Sequence, residues 1–433
     1  MRKRILYLAI PSIITNLTVP LMGLFDVAIV GHLQNISFIG AIAIGGMMFN
    51  LLYWGFGFLR MGTGGLTAQA FGRKDEKDIP IQLFRPLLLA LSISLVILLF
   101  SRPLEWIILH VIGEPESSLN HWASVYFRIC VWGAPAVLST YAFNGWFIGL
   151  QNPKIPMYVA IVANTLNVVL SLFLVYGMEM QLKGVALGTM MGQWTGFLLS
   201  LALCWKKYKN YFKRKFYWTE ILDTDALVRY FHVNKNIFGR TVCLIAVTAS
   251  FTAFGAKQGE TLLAVNTLMM QLFTVFSYFM DGFAYAGEAL VGAYVGENNS
   301  LKLRETIHSL FFWGWTLAIF FTWIYSLGGK SFLGFLTDQQ EVLEACVLYI
   351  EWSALIPLCG FSAFMWDGIF IGMTETKMMF QVMLFSMLLY FVLYLILFPT
   401  YGNHGLWISF LLYLIVRGCG LWYLFVKKYR FKY

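Results

Sequence analysis

The sequence predicts an all-α polytopic membrane protein, with twelve transmembrane helices in two pseudo-symmetric six-helix bundles around a central cavity. Three observations support this fold class. The 433 residues are 59% hydrophobic and only 12% charged, whereas soluble domains average about 25% charged residues. Apolar runs long enough to cross a bilayer recur along the whole chain. Features of the first half also return in the second half in the same order.

The apolar runs are predicted to form helices and not barrel strands. A spanning segment must satisfy its own backbone hydrogen bonds, which leaves only helices or a closed barrel. Barrel strands alternate apolar and polar residues, and runs such as 87–100 and 311–327 do not alternate. We therefore expect spans near residues 5–30, 38–71, 87–109, 122–148, 155–177, 184–205, 236–256, 262–295, 307–329, 343–371, 378–400 and 404–426.

The longest polar connection divides these spans into two sets of six. It predicts an N-terminal lobe of residues 1–205, a cytoplasmic linker of residues 206–235 and a C-terminal lobe of residues 236–433. Because six spans bring the chain back to its starting side, both lobes enter the membrane in the same orientation. The lobes are then related by an axis along the membrane normal.

Matching glycines indicate that the two lobes are internal repeats. The Asn-Gly pair at 144–145 corresponds to the Asp-Gly pair at 367–368, and the glycine-rich stretch 56–72 corresponds to 280–296. Two repeated bundles that face each other across a cavity are suited to alternating access.

The net charge of +9 reflects topology and not a nucleic-acid partner. Lys and Arg concentrate at the N-terminus, in the even-numbered connections and at the C-terminus, which predicts that both termini are cytoplasmic in an inner (plasma) membrane. Arg240 is counted with this cytoplasmic side, whereas Arg60, Arg128 and Arg417 fall inside spans.

No cofactor, metal site or enzymatic centre is expected. The six cysteines are scattered through apolar segments without a C-x-x-C pair, which argues against a disulfide framework and a zinc site. Zinc-protease and serine-hydrolase motifs are also absent from the sequence.

Asp26 is the residue on which function is expected to depend. A charge at mid-bilayer costs about 2.5–3.5 kcal/mol on insertion scales, and no basic residue lies near Asp26 in the sequence. Low-dielectric surroundings without a cation favour the protonated carboxyl, which makes Asp26 a candidate proton site. The alternative is a carboxyl held by a fixed hydrogen bond or wetted at the surface. Pro11 and Pro20 each free a carbonyl on this helix, so the helix can bend.

Other polar residues of the N-terminal lobe are open to two interpretations. Arg60 is either an ion-pair partner or a residue that snorkels to the surface. Asn164 and Asn167 lie three residues apart in the fifth span, and such amides often serve to join helices.

Acidic residues of the C-terminal lobe are candidates for a substrate or ion site, or for structural pairing between helices. Asp281 and Glu288 lie seven residues apart, which places them about two turns apart on one face of a helix. Asp367 occupies the repeat position equivalent to Asn144.

Five segments together carry a family resemblance that covers nearly the whole chain: residues 23–33, 59–69, 280–288, 367–372 and 402–407. In these segments the chain resembles the multidrug and toxic compound extrusion (MATE) transporters, specifically their DinF branch. The resemblance implies export of varied amphiphilic compounds in exchange for protons, or less often sodium, by alternating access.

The resemblance also implies roles for individual residues. Asp26 matches the aspartate that takes the coupling ion, and Pro11 matches the proline at which the first helix bends. Tyr126, Asn167 and Thr189 fall where a polar network around that carboxylate is expected.

One departure from the family pattern lies in the fifth span. Family members commonly carry an aspartate four residues after the asparagine, and here that position is Ser171. A hydroxyl neither exchanges a proton near neutral pH nor supplies the negative charge that sodium favours. Coupling is therefore expected to rest more heavily on Asp26, or to shift partly to Asp281, Glu288 and Asp367.

Two alternatives stay open at this stage, namely a flippase of lipids or lipid-linked sugars and a sodium-coupled exporter. Flippases for lipid pyrophosphates need several basic residues in the cavity, and here intramembrane carboxyls outnumber intramembrane arginines. The expected partners are therefore cationic or neutral amphiphiles and membrane lipids, with the protein as a monomer.

Overall fold

The computed structural model describes residues 1–33, 37–112, 118–213, 217–336 and 339–429. Within these ranges the regular structure is helical, and the helices are α1 (Arg2–Gly31), α2 (Ser37–Trp54), α3 (Phe58–Gly72), α4 (Asp78–Leu99), α5 (Ser101–Ile112), α6 (Ser118–Cys130), α7 (Ala134–Gly149), α8 (Lys154–Leu172), α9 (Gln181–Tyr208), α10 (Trp218–Ile221), α11 (Thr224–Ala256), α12 (Glu260–Gly296), α13 (Ser300–Leu336), α14 (Gln340–Gly372), α15 (Thr376–Tyr401) and α16 (Asn403–Tyr429).

Among the described residues, eleven helical runs are long and apolar enough to cross a membrane. The predicted fourth span is not among them. There α6 and α7 follow each other through the 3-10 turn Val131–Gly133, and the run includes the polar side chains of Arg128 and Asn144. The third span begins earlier than predicted, because α4 starts at Asp78 and its first turns carry polar side chains.

The chain divides into two compact units, one of residues 14–230 and one of residues 1–13 together with 231–433. These units differ from the predicted lobes of 1–205 and 236–433, because α1 and α11 each pass from one unit to the other.

Much of the predicted linker 206–235 is helical, since α9 ends at Tyr208 and α11 begins at Thr224. Within this predicted linker, residues 214–216 lie outside the described part of the chain.

In the unit of residues 14–230, α3 crosses α7 at very close range. A Cβ atom added to Gly145 would overlap the carbonyl oxygen of Arg60. One turn further along, a Cβ on Gly149 would lie 2.7 Å from the carbonyl oxygen of Gly64. Glycine is required at both positions because the two backbones touch.

The other unit contains the same crossing between α12 and α14. A Cβ on Gly368 would overlap the carbonyl oxygen of Ala284, and a Cβ on Gly372 would lie 2.7 Å from that of Glu288. The four glycines therefore occupy equivalent places in two copies of one helix pair, which agrees with the internal repeat predicted from the sequence.

A buried amide cluster joins α12, α16 and the turn that precedes α12. Asn266 of α12 and Asn403 of α16 exchange hydrogen bonds of 2.8 and 3.0 Å. Trp407 donates its indole N–H to Asn266 at 3.0 Å, and Gln258 donates to Asn403 at 3.2 Å. These polar groups satisfy one another, which is the condition for burying them at low cost.

Candidate functional site

Asp26 is buried in the second half of α1, with 6% of its surface exposed. Thr189 of α9 donates its hydroxyl to Oδ2 of Asp26 over a long 3.5 Å. The other carboxyl oxygen, Oδ1, has no hydrogen-bond partner among the described residues. Within the same residues no cation lies within ion-pair distance of Asp26. The carboxyl is thus held inside the protein by one weak contact.

Tyr126 of α6 lies beside this carboxyl and is within hydrogen-bonding reach of Thr189 and Cys130. Cys130 in turn donates its thiol to the carbonyl oxygen of Ala186 at 3.5 Å. Helix α2 also packs against Tyr126. A Cβ added to Gly45 of α2 would overlap the Tyr126 ring. Cys130 was not predicted at this site, although its position four residues after Tyr126 puts both residues on one helix face.

Asn167 and Ser171 are buried on α8, and Ser171 donates its hydroxyl to Oδ1 of Asn167 at 3.3 Å. Two glycines of α9 lie against them. A Cβ on Gly188 would overlap the Ser171 hydroxyl, and a Cβ on Gly192 would lie 2.7 Å from Cβ of Asn167. The same helix therefore presents glycines to α8 and Thr189 to Asp26. The small side chain at position 171 fits the space that Gly188 leaves.

An apolar groove of about 300 Å³ lies between the second half of α1 and α8. Asn164 of α8 donates to the backbone carbonyl of Thr18 at 3.4 Å, which links the two helices at the groove. Helix α1 continues through both Pro11 and Pro20. The groove is lined by Thr18, Leu21, Met22, Phe25, Ile161, Asn164, Thr165, Val168 and Val169.

Asp367 of α14 lies in the other unit and is held differently. Arg240 of α11 and Arg417 of α16 each donate from Nη2 to its Oδ2. All three side chains are buried, with exposed fractions of 5% for Asp367, 7% for Arg240 and 2% for Arg417. This ion-pair triad joins three helices and carries two positive charges for one negative charge.

The sequence predicts Arg240 on the cytoplasmic side, and the structure adds that its side chain is buried. A lone arginine near the end of a span ordinarily snorkels to the interface, whereas Arg240 turns inward to the Asp367 carboxylate. The carboxylate that attracts it lies 127 residues away in sequence. The one sequence feature that pointed to this pairing was the occurrence of Arg240, Arg417 and Asp367 in apolar stretches of the same lobe.

The remaining candidates lie in several places. Glu288 is 1% exposed on α12, and Asp281 lies near Tyr278 on the same helix. Arg60 of α3 lies close to Tyr141 of α7. Within the described ranges no three His, Cys, Asp or Glu residues are arranged to hold a metal ion.

The ion pair between Arg128 and Glu105 was not predicted from the sequence. Arg128 of α6 donates from Nε to Glu105, with 3.0 Å to each carboxyl oxygen, and its Nη2 lies 2.9 Å from Oε1 of the same carboxylate. The Glu105 side chain is buried and that of Arg128 is half exposed. This pair ties α5 to α6 near Tyr126.

Two repeated bundles of spanning helices are the architecture of transporters that are built from parallel repeats. Comparison with known proteins gives the family. The MatE family model matches residues 11–173 and matches again at residues 237–396, once in each half. The chain belongs to the MATE family of multidrug and toxic compound efflux transporters.

The most informative relatives place the chain in the DinF branch. It is 33% identical to the DNA damage-inducible protein F of Escherichia coli K12, over 97% of this chain and 91% of that protein. It is 24% identical to the probable multidrug resistance protein NorM of Photorhabdus laumondii, over 89% of this chain and 84% of that protein.

Solved structures show the same fold. The Vibrio cholerae MATE transporter VcmN in its bent form aligns with a TM-score of 0.88 at 15% identity, over 99% of this chain and 97% of that one. A MOP superfamily transporter from Pyrococcus furiosus aligns with a TM-score of 0.85 at 18% identity, over 98% and 94% of the two chains.

Proposed function

We propose that this protein exports amphiphilic drugs or toxic metabolites in exchange for protons, and that Asp26 carries the coupling proton. The observation that supports Asp26 most directly is its isolation. It is a buried carboxyl without a cation among the described residues, held by one hydrogen bond of 3.5 Å. Such a group can bind and release a proton without first breaking an ion pair.

Protonation of Asp26 would change the balance of forces around α1. The ionised carboxyl accepts the Thr189 hydroxyl and attracts a cation, whereas the neutral acid does neither strongly. A cationic cargo would lose its electrostatic partner when the proton binds, so proton entry and cargo release are coupled. Pro11 and Pro20 leave α1 with fewer internal hydrogen bonds, which allows it to bend as the carboxyl changes state.

The groove between α1 and α8 is our candidate for the cargo's apolar part. Its lining is mostly aliphatic and aromatic, and Asn164 supplies an amide at its wall. Phe25, which lines the groove, directly precedes Asp26 in the chain. A cargo in the groove would therefore lie next to the helix turn that carries the proton.

The membrane topology follows from the charge distribution. We infer that both termini face the cytoplasm and that the protein lies in the inner (plasma) membrane, because Lys and Arg concentrate on the side of the termini. Cargo would then leave the cytoplasm as protons enter.

The decisive experiment measures efflux of the cationic dye ethidium from proteoliposomes under a proton gradient alone and under a sodium gradient alone. We expect transport with the proton gradient. Asp26→Asn should lower the rate to that of empty liposomes, because the amide cannot take up a proton. The matched control is Asp225→Asn, which changes an exposed acid at the start of α11, and it should transport like the parent protein.

Two outcomes would overturn the proposal. Proton-driven transport by Asp26→Asn at the parent rate would remove Asp26 from coupling. Transport with the sodium gradient alone would make the protein a sodium-coupled exporter. A third assay, movement of a labelled lipid-linked sugar without dye efflux, would identify a flippase instead.

A further inference from the structure

A groove of about 380 Å³ lies between the start of α13 and the end of α16. Both helices pack on α14, and the groove runs between them. On its α14 side, Trp366 contacts Phe311 of α13 and Phe425 of α16, with ring centroids 5.2 and 4.9 Å apart. The lining residues are Leu303, Arg304, Ile307, His308, Phe425, Val426 and Tyr429.

The groove combines an apolar wall with a basic end. Ile307, Phe425 and Val426 supply the apolar surface. Arg304 and His308 lie one turn apart on α13, and Nδ1 of His308 is 2.8 Å from the carbonyl oxygen of Arg304. Because Nδ1 donates to that carbonyl, Nε2 of a neutral His308 is an acceptor, and the donor for an anion at this end is Arg304.

Arg304 has no ion-pair partner among the residues that the structure describes. Across the described ranges no carboxylate lies within 4 Å of it, although acids are close in sequence. Glu305 lies instead 3.5 Å from the N-terminal ammonium of Met1, and Glu297 lies 3.9 Å from Lys302. An exposed arginine at the rim of an apolar groove thus remains free to bind an anion.

We propose that this groove binds an anionic phospholipid. The Arg304 guanidinium would hold the phosphate, and an acyl chain would lie along Ile307, Phe425 and Val426. The groove lies where α13 begins and α16 ends, which is the level of headgroups for helices that cross a bilayer. A free phosphate would use only the basic end and leave the apolar wall uncovered.

Native mass spectrometry of the full-length protein tests the proposal. The detergent-solubilised protein is mixed with phosphatidylglycerol, with zwitterionic phosphatidylcholine, or with inorganic phosphate. We expect the parent protein to retain phosphatidylglycerol preferentially. Arg304→Gln should weaken that retention roughly five-fold, the effect of losing one cation near a headgroup.

Two further variants distinguish a specific lipid site from nonspecific attraction of anionic lipid to basic residues. Lys302→Gln removes an exposed cation two residues away that does not line the groove, and it should bind phosphatidylglycerol like the parent. Val426→Ser changes the exposed apolar wall and should weaken lipid binding without affecting phosphate.

Equal loss in Arg304→Gln and Lys302→Gln would show diffuse attraction to anionic lipid and overturn the site. Equal retention of the two lipids would overturn it as well. A third result would also overturn it: Arg304→Gln abolishes phosphate binding, and Val426→Ser leaves lipid retention unchanged. The site would then bind phosphate alone. The proposal does not depend on the transport assay, because binding is measured without a gradient.

Discussion

The two halves of the chain share one helix crossing but hold their buried carboxyls in opposite ways. Asp26 has one long hydrogen bond and no cation nearby among the described residues. Asp367 accepts hydrogen bonds from two buried arginines on two different helices. Both carboxyls are about equally buried, so the two sites differ in their partners and not in their burial.

The difference indicates a division of labour between the repeats. A carboxylate bound by two guanidinium groups stays ionised and fixes the helices that carry it. A carboxyl without such partners can change its charge. The sequence alone leaves open whether coupling shifts to the acids of the C-terminal lobe. The pairing of Asp367 with two arginines argues against that residue as the ion carrier.

The largest expected effect concerns the stability contributed by Asp367. Asp367→Asn leaves the charges of Arg240 and Arg417 buried without an acid, which costs about 3–5 kcal/mol of unfolding free energy. Asp26→Asn leaves no described cation without its partner, and should lower the unfolding free energy by less than about 1 kcal/mol. Denaturation in mixed detergent micelles, followed by tryptophan fluorescence, measures both. Equal losses would remove the distinction between the two carboxyls.

A smaller loss is expected from Arg417→Gln. This change leaves one arginine facing one aspartate, so charge balance improves while hydrogen bonds to a charged group are lost, at a cost of about 1.5–3 kcal/mol. The double variant with Asp367→Asn should then lose less than the sum of the single variants. Strict additivity in this double-mutant cycle would contradict a direct interaction.

The shared crossing predicts similar losses in the two halves. Gly145→Ala and Gly368→Ala each push a methyl group into a backbone carbonyl and should each cost about 1–3 kcal/mol. Gly23→Ala is the control, because no atom lies within 4 Å of the added Cβ and alanine favours the helix. A loss in only one half would show that the two crossings differ.

The smallest expected effect sharpens the description of the Asp26 site. Thr189→Val keeps the side-chain shape and removes the hydroxyl, so we expect a loss of about 0.5–1.5 kcal/mol. Proton-driven efflux should slow but persist, because Asp26, the proposed proton carrier, remains. Complete loss of efflux, as expected for Asp26→Asn, would instead make the hydroxyl essential to coupling.

The sequence predicted those features that depend on local chemistry. Apolar runs gave the spans, and the glycines at 145 and 368 gave the repeat because only glycine permits contact between backbones. No cation lies near Asp26 in the sequence, but this did not by itself predict its isolation, because Asp367 is paired with arginines that are distant in sequence. The contact of Thr189 with Asp26 agrees with the position that the family resemblance implied.

Long-range pairing was beyond the sequence. The partners of Asp367 are 127 and 50 residues away, and nothing local distinguishes an arginine that turns inward from one that turns to the interface. The close packing of Ser171 against Gly188 also depends on how α8 and α9 pack, which neither segment of sequence specifies alone. The division of α1 between the two units was not predicted, because an apolar run does not specify which helices it packs against.

The division of α1 between the units has a consequence for biogenesis. Residues 1–13 belong with residues 231–433, and Ile13 lies against Gly282. At about 5–20 residues per second, these first residues leave the ribosome on the order of ten to forty seconds before their partners begin to emerge. The first helix made therefore finishes packing among the last. A deletion or tag at the N-terminus is expected to disturb assembly of the second half of the chain.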